Sequence, residues 1–154
     1  MRVIPRGRRA VFALFIAYLL AVAAITLGPA PAPDETLGIV RATVTWLNAH
    51  GVGVSYDGVE FAANVVMFVP FGVFVRGLLP TRPALLVIAI GAVTSLGIEC
   101  AQLLLPTRVS DPRDIVANTL GTWLGVGIRA GAARWHTARQ RPDRDDIPTL
   151  SSPG

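Results

Sequence analysis

The sequence predicts an all-α membrane protein: a bundle of four transmembrane helices with a further amphipathic helix at its outer end. Composition is the first reason. Of 154 residues, 52% are hydrophobic and 16% charged, against about 25% charged in soluble domains, and mean hydropathy is +0.53. The second is length. Residues 10–27, 59–79, 84–105 and 115–133 form four apolar runs close to the ~20 residues that cross a hydrocarbon core. The third is arginine placement. All 14 basic residues are Arg, and 11 of them (Arg2, Arg6, Arg8, Arg9, Arg76, Arg82, Arg129, Arg134, Arg139, Arg141, Arg144) fall on one side of the runs. Arg41, Arg108 and Arg113 fall on the other. Cytoplasmic loops carry the excess of Arg and Lys, so both termini are expected in the cytoplasm.

The first run follows a cluster of arginines, and Ala30-Pro31-Ala32 imitates a small-residue cleavage site. The run exceeds the 7–15 residues typical of a signal h-region, and Pro33 follows the site, so a retained span is expected. The connector 28–58 opens with Pro29, Pro31 and Pro33, which forbid a continuous helix. From Asp34, a capping residue, Leu37, Val40, Val44 and Leu47 recur at helical spacing, and Gly51 is a natural stop. Two placements fit this helix: flat on the outer membrane surface, or packed over the bundle end as a lid. Residues 51–58 read as a flexible loop. Residues 1–133 form one membrane domain, and the polar stretch 134–154 reads as a disordered cytoplasmic tail.

Polar residues in the last three runs gather at one end. In the second run Glu60, Asn64, Phe68 and Gly72 share a helical stripe; in the third Gly91, Ser95, Glu99 and Gln102; in the fourth Asp114, Asn118, Thr122 and Gly125, with Gly121 adjacent. Small residues allow close helix approach, so the three stripes are expected to face one another around a polar pocket opening outward. Its predicted members are Asn64, Glu99, Gln102, Arg108, Asp111, Asp114 and Asn118. Phe68, Pro70, Gly72, Gly121 and Gly125 are expected to pack and bend the helices. Gly121, Gly125, Gly127 and Gly131 contain two small-xxx-small patterns, used within the bundle or in a homodimer.

An ionised carboxylate in hydrocarbon needs a partner, which marks Glu99. Counted back from Leu105, it lies about 9 Å below the outer end at 1.5 Å per residue. Arg108, beyond the turn at Pro106, is the expected partner through a two-pronged hydrogen bond, and Asp114 is expected to cap the fourth helix. A purely structural role for the Glu99–Arg108 pair is the alternative. Only His50 and His136 occur, far apart, and Cys100 is the single cysteine, so no metal site, cofactor or intramolecular disulfide is expected. The sequence pI near 10.5 comes from arginines flanking apolar runs, a topology signal and not a nucleic-acid footprint.

The ordered set Asn64-Val-Val-Met-Phe68-Val-Pro70-Phe-Gly72, Glu99-Cys-Ala-Gln102, Pro106-Thr-Arg108 and Asp111-Pro-Arg-Asp114-Ile-Val-Ala-Asn118-Thr-Leu-Gly121 resembles the VanZ-like family over about residues 59–130. The resemblance implies a small integral membrane protein, and the family's named member is associated with teicoplanin resistance. It transfers no catalytic residues. Two function classes follow. The first is a binding protein of the cell envelope, whose pocket engages a membrane lipid, a lipid-linked cell-wall precursor or a lipoglycopeptide. Arg108 and Arg113 would meet an anionic head group, and antibiotic susceptibility would fall. The second is a membrane-embedded enzyme acting on an envelope lipid, with Glu99 as acid/base. Proton or ion movement fits less well, because no polar relay crosses the runs.

Overall fold

The computed structural model describes residues 6–28, 42–106 and 110–139. They form helices α1 (Arg6–Leu27), α2 (42–49), α3 (Tyr56–Leu78), α4 (Ala84–Gln102) and α5 (Pro112–Arg139), with no strand among the described residues. α1, α3 and α4 are long and apolar enough to cross a membrane, and no more than 22% of the residues in their apolar windows are buried. Apolar side chains such as Leu20, Ile25, Val66, Leu85 and Val93 therefore face away from the bundle, the reverse of a water-soluble core. α5, 28 residues long, is not among these three. It carries Asp114, Asn118 and Thr122 along the face it turns toward α3 and α4.

Local chemistry sets the helix ends, and it corrects several expected boundaries. α3 starts at Tyr56, inside the stretch read as a loop, because the Ser55 side chain caps it by accepting from Gly58 N–H at 3.1 Å. α4 ends at Gln102, three residues before the expected Leu105. Pro106 disfavours helix in the residue before it, and the chain leaves through tight turns, Leu104 N–H to Ala101 O and Leu105 N–H to Gln102 O. Glu99 is thus three residues, about 4.5 Å, from its helix end at Gln102 and not 9 Å. α5 is capped by Asp111 and not by Asp114: Asp111 Oδ1 accepts from Arg113 N–H at 2.9 Å, and Pro112 takes the first helical position, where its missing N–H is harmless. α5 also runs on to Arg139, into the stretch expected to be disordered. There the Arg139 guanidinium sits 3.8 Å over the Trp135 ring, one helical turn away.

In the connector, helix covers 42–49 and stops at Gly51, whose φ is +80°. Val52 N–H reaches Leu47 O at 3.0 Å and Gly51 N–H reaches Asn48 O at 3.1 Å, the paired bonds of a Schellman stop. The expected helix start at Asp34, with Leu37 and Val40, lies outside the described residues.

α5 packs along α3 and then α4, while α1 lies against α3 and α4 and makes no backbone approach to α5 among the described residues. The α3–α5 seam is backbone against backbone. A Cβ on Gly72 would overlap the Thr122 carbonyl, one on Gly121 the Val65 carbonyl, and one on Gly125 the Val69 carbonyl. Across α4, Gly91 leaves a notch filled by the Thr122 side chain. Gly127 and Gly131 have open space around their Cβ positions, so only the first of the two small-residue patterns is used within the chain. α3 continues unbroken through Pro70. In the turn before it the Tyr18 hydroxyl donates to the Met67 carbonyl at 2.8 Å, fastening α1. Phe68 is buried with its ring 5.5 Å from that of Phe71, and Phe15, Tyr18 and Phe74 extend this aromatic core.

Candidate functional site

The up-and-down order of α1, α3, α4 and α5 brings one end of each to the same side. That end holds every described carboxylate: Asp57, Glu60, Glu99, Asp111 and Asp114. The other end holds Arg9, Arg76, Arg82, Arg134 and Arg139, with Arg129 two to three turns in from the end of α5. Among the described residues, acidic and basic side chains are thus largely separated to opposite ends of the helices.

At the acidic end the expected single pocket is divided into an exposed cleft and three buried pairs. The cleft, about 80 Å³, is lined by Asp57, Glu60, Phe61, Asp111, Arg113 and Asp114. Of the six predicted pocket residues that are described, Asp111 and Asp114 line it. Arg113 meets Asp57 at 2.9 Å, with both side chains largely exposed at 67% and 73%, so this pair contributes little to stability. Asn64 links α3 to the cleft by donating to Asp114 Oδ1 at 2.6 Å.

The three pairs lie below or beside the cleft. Glu99, 4% exposed, accepts from the Ser110 hydroxyl at 2.5 Å. Asn118, 3% exposed, donates to Ser95 Oγ at 2.8 Å, joining α5 to α4. Gln102, 7% exposed, donates to the Thr26 carbonyl at 3.0 Å and fastens the end of α4 to the end of α1. Arg108 lies outside the described residues, and with it the expected Glu99–Arg108 pair. Two acceptor oxygens, Gln102 Oε1 and Asn118 Oδ1, are buried and have no hydrogen-bond partner among the described residues.

Asp114 stands in the first turn of α5, just ahead of the apolar run that begins at Ile115. Its carboxyl is pushed up to about 6, first by burial and then by the negative charges of Glu99 and Glu60, while the bond from Asn64 pulls it back. Because the folded pKa exceeds the ordinary aspartate value of 3.8, the native state holds the extra proton between those values. This contribution to stability is therefore full below about 3.8 and is lost as pH rises toward 6. Replacing Asn64 with Ala is expected to raise the Asp114 pKa further. A carboxyl titration followed by infrared spectroscopy of labelled Asp checks this, and an unchanged or lower value would count against the Asn64 contact.

Ser110 and Thr26 were not singled out by the sequence. Ser110 follows the Pro106–Arg108 segment, where any hydroxyl could reach Glu99, so its type and position were a usable signal. Thr26 contributes a backbone carbonyl, for which residue identity gives no signal. Among the described residues no three His, Cys, Asp or Glu side chains are grouped to hold a metal ion.

An all-helical chain with three membrane-length apolar helices, a glycine seam and buried polar pairs at one end defines a class, the small helical membrane protein. Its family is VanZ/LLP1: that family's model matches residues 15–131, most of the chain, and the protein belongs to it. No curated protein and no solved structure matches.

Proposed function

We propose that this VanZ-family protein is a multi-pass binding protein of the cell envelope. α1, α3, α4 and α5 all span, both termini are cytoplasmic, and the acidic end faces outward. There it takes the head group of an envelope lipid, a lipid-linked cell-wall precursor or a lipid-tailed glycopeptide, and the apolar flanks of the bundle accept the tail. The spanning of α5 is supported by its packing against α3 and α4, because its polar atoms are turned inward and Val116, Trp123 and Ile128 outward.

The observation that carries the reading is the orphaned acceptor set beside a buried carboxylate. Leaving a buried acceptor unpaired costs about 1–3 kcal/mol. Gln102 is oriented by the Thr26 carbonyl, which only accepts, so Gln102 Oε1 must be the outstanding acceptor. Together with Asn118 Oδ1 and Glu99, it calls for a ligand rich in donors. The five carboxylates outnumber Arg113 and Arg108 together, so the favoured head group is hydroxylated or aminated, as in an amino sugar. This replaces the anionic head group expected from the arginines alone, since Arg113 is engaged by Asp57. Arg108, two residues from Ser110, remains the proposed second partner of Glu99.

Two experiments test the proposal. A reporter active only in the cytoplasm should be active when fused after Gly154 and silent when inserted within 42–55; an active insertion would put the acidic end inside. Expression of the chain should reduce susceptibility to lipid-tailed glycopeptides more than to those lacking a tail. No change with either group would remove the resistance role.

The Ser110–Glu99 contact favours a second reading, an enzyme in which Glu99 draws the proton from a hydroxyl. Envelope lipid converted by wild type and untouched by Ser110→Ala would select it over binding.

A further inference from the structure

At the arginine-rich end a crevice of about 290 Å³ opens between α1 and α5, with α3 as its floor. α1 contributes Gly7 and Val11, α3 contributes Val73, Phe74 and Leu78, and α5 contributes Arg129. Its lining is mostly apolar, and it exists because α1 is fastened at Tyr18 and Gln102 but never approaches α5. Gly7 and Gly77 widen it: a Cβ on Gly7 would have nothing within 4 Å, and one on Gly77 would meet Arg129 Nε at 3.6 Å.

The Arg129 guanidinium makes no hydrogen bond or ion pair among the described residues. It lies ten residues before the end of α5 at Arg139, roughly 15 Å in from that end. Every described carboxylate is at the opposite end of the bundle. Arg134 and Arg139 follow on the same helix, and Arg76 and Arg82 border the α3–α4 turn, where Arg76 Nη1 donates to the Arg82 carbonyl. A guanidinium beside an apolar crevice, with only cations near it among the described residues, suits an anion that brings its own hydrocarbon.

We infer that this crevice binds one anionic phospholipid, its phosphate on Arg129 and one acyl chain along Val11, Val73 and Phe74. Basic pockets between membrane helices hold anionic head groups in this way. The inference rests on the membrane-embedded reading but not on any ligand at the acidic end. The apolar lining commits the site to a lipid and not to a soluble phosphate, and it separates the protein into two ends with opposite head-group preferences. Donor-rich groups go to the carboxylates and phosphate to Arg129.

The test uses full-length protein in nanodiscs made from equimolar phosphatidylglycerol and phosphatidylcholine, released from the discs and weighed by native mass spectrometry. Wild type should keep one phosphatidylglycerol in preference to phosphatidylcholine. Arg129→Ala should lower that preference about fivefold, the effect of one arginine near an anionic surface. Gly7→Phe, which has room to enter the crevice, should displace the lipid while leaving Arg129 in place. Equal retention of both lipids, or no change in Arg129→Ala, would overturn the assignment. Displacement of the lipid by soluble glycerol phosphate would show a free-anion site and overturn it as well. Glu99→Gln should leave this retention unchanged, which keeps the result separate from that at the acidic end.

Discussion

Gly125→Leu is expected to leave almost no folded protein. At Gly125 a Cβ would overlap the Val69 carbonyl, with Val73 N at 2.8 Å and the Gly72 Cα at 2.9 Å. None of these is a side chain able to rotate away, so α3 and α5 must separate along their whole seam. Overpacking a core usually costs about 1–3 kcal/mol, and a backbone obstruction belongs at or beyond the upper end. Loss of the seam also loosens α5 against α4, where Asn118 donates to Ser95 and Thr122 fills the notch at Gly91. The contrasting change is Gly127→Ala, where nothing lies within 4 Å and Ala gains about 1 kcal/mol of helix propensity over Gly. Thermal unfolding followed by size-exclusion chromatography in detergent should show aggregation for the first variant and an equal or higher midpoint for the second. A well-folded Gly125→Leu would refute the close α3–α5 approach.

The largest functional effect is expected at Glu99. Glu99→Gln keeps the volume, and its amide oxygen can still accept from Ser110. Stability should therefore change little, or rise as a buried charge is removed. A head group held by that charge loses its strongest contact. A hydrogen bond to a charged group contributes about 1.5–3 kcal/mol, so affinity should fall roughly 10- to 150-fold. The tolerance phenotype should disappear while the protein remains in the membrane at normal abundance. Equal loss of abundance and phenotype would instead make Glu99 a structural residue.

What could be read from the sequence was set by periodicity. Stripes spaced by three and four residues placed Asn118, Thr122 and Gly125 on one face of α5, and Ser95, Glu99 and Gln102 on one face of α4, because a helix fixes those angles whatever surrounds it. What the stripes could not give was which partner each polar group takes. Gln102 points to a backbone carbonyl at Thr26, 76 residues away, and no side-chain pattern records a carbonyl. Helix ends were also misjudged where a cap competed with an apolar run. Asp111 rather than Asp114 caps α5, because Pro112 suits the first helical position, and that left Asp114 free to meet Asn64. The division of the pocket into a cleft and buried pairs followed from these local choices.

The acidic end is proposed to hold a donor-rich envelope molecule. This is tested most directly by purifying wild type and Glu99→Gln in nanodiscs, incubating them with envelope lipids and identifying what each retains by mass spectrometry. Wild type is expected to keep a hydroxylated or aminated amphiphile unchanged, and Glu99→Gln to release it. Leaving aside the anionic phospholipid expected at Arg129 in both proteins, retention of no such amphiphile, its equal retention by wild type and Glu99→Gln, or its recovery in chemically altered form would contradict this.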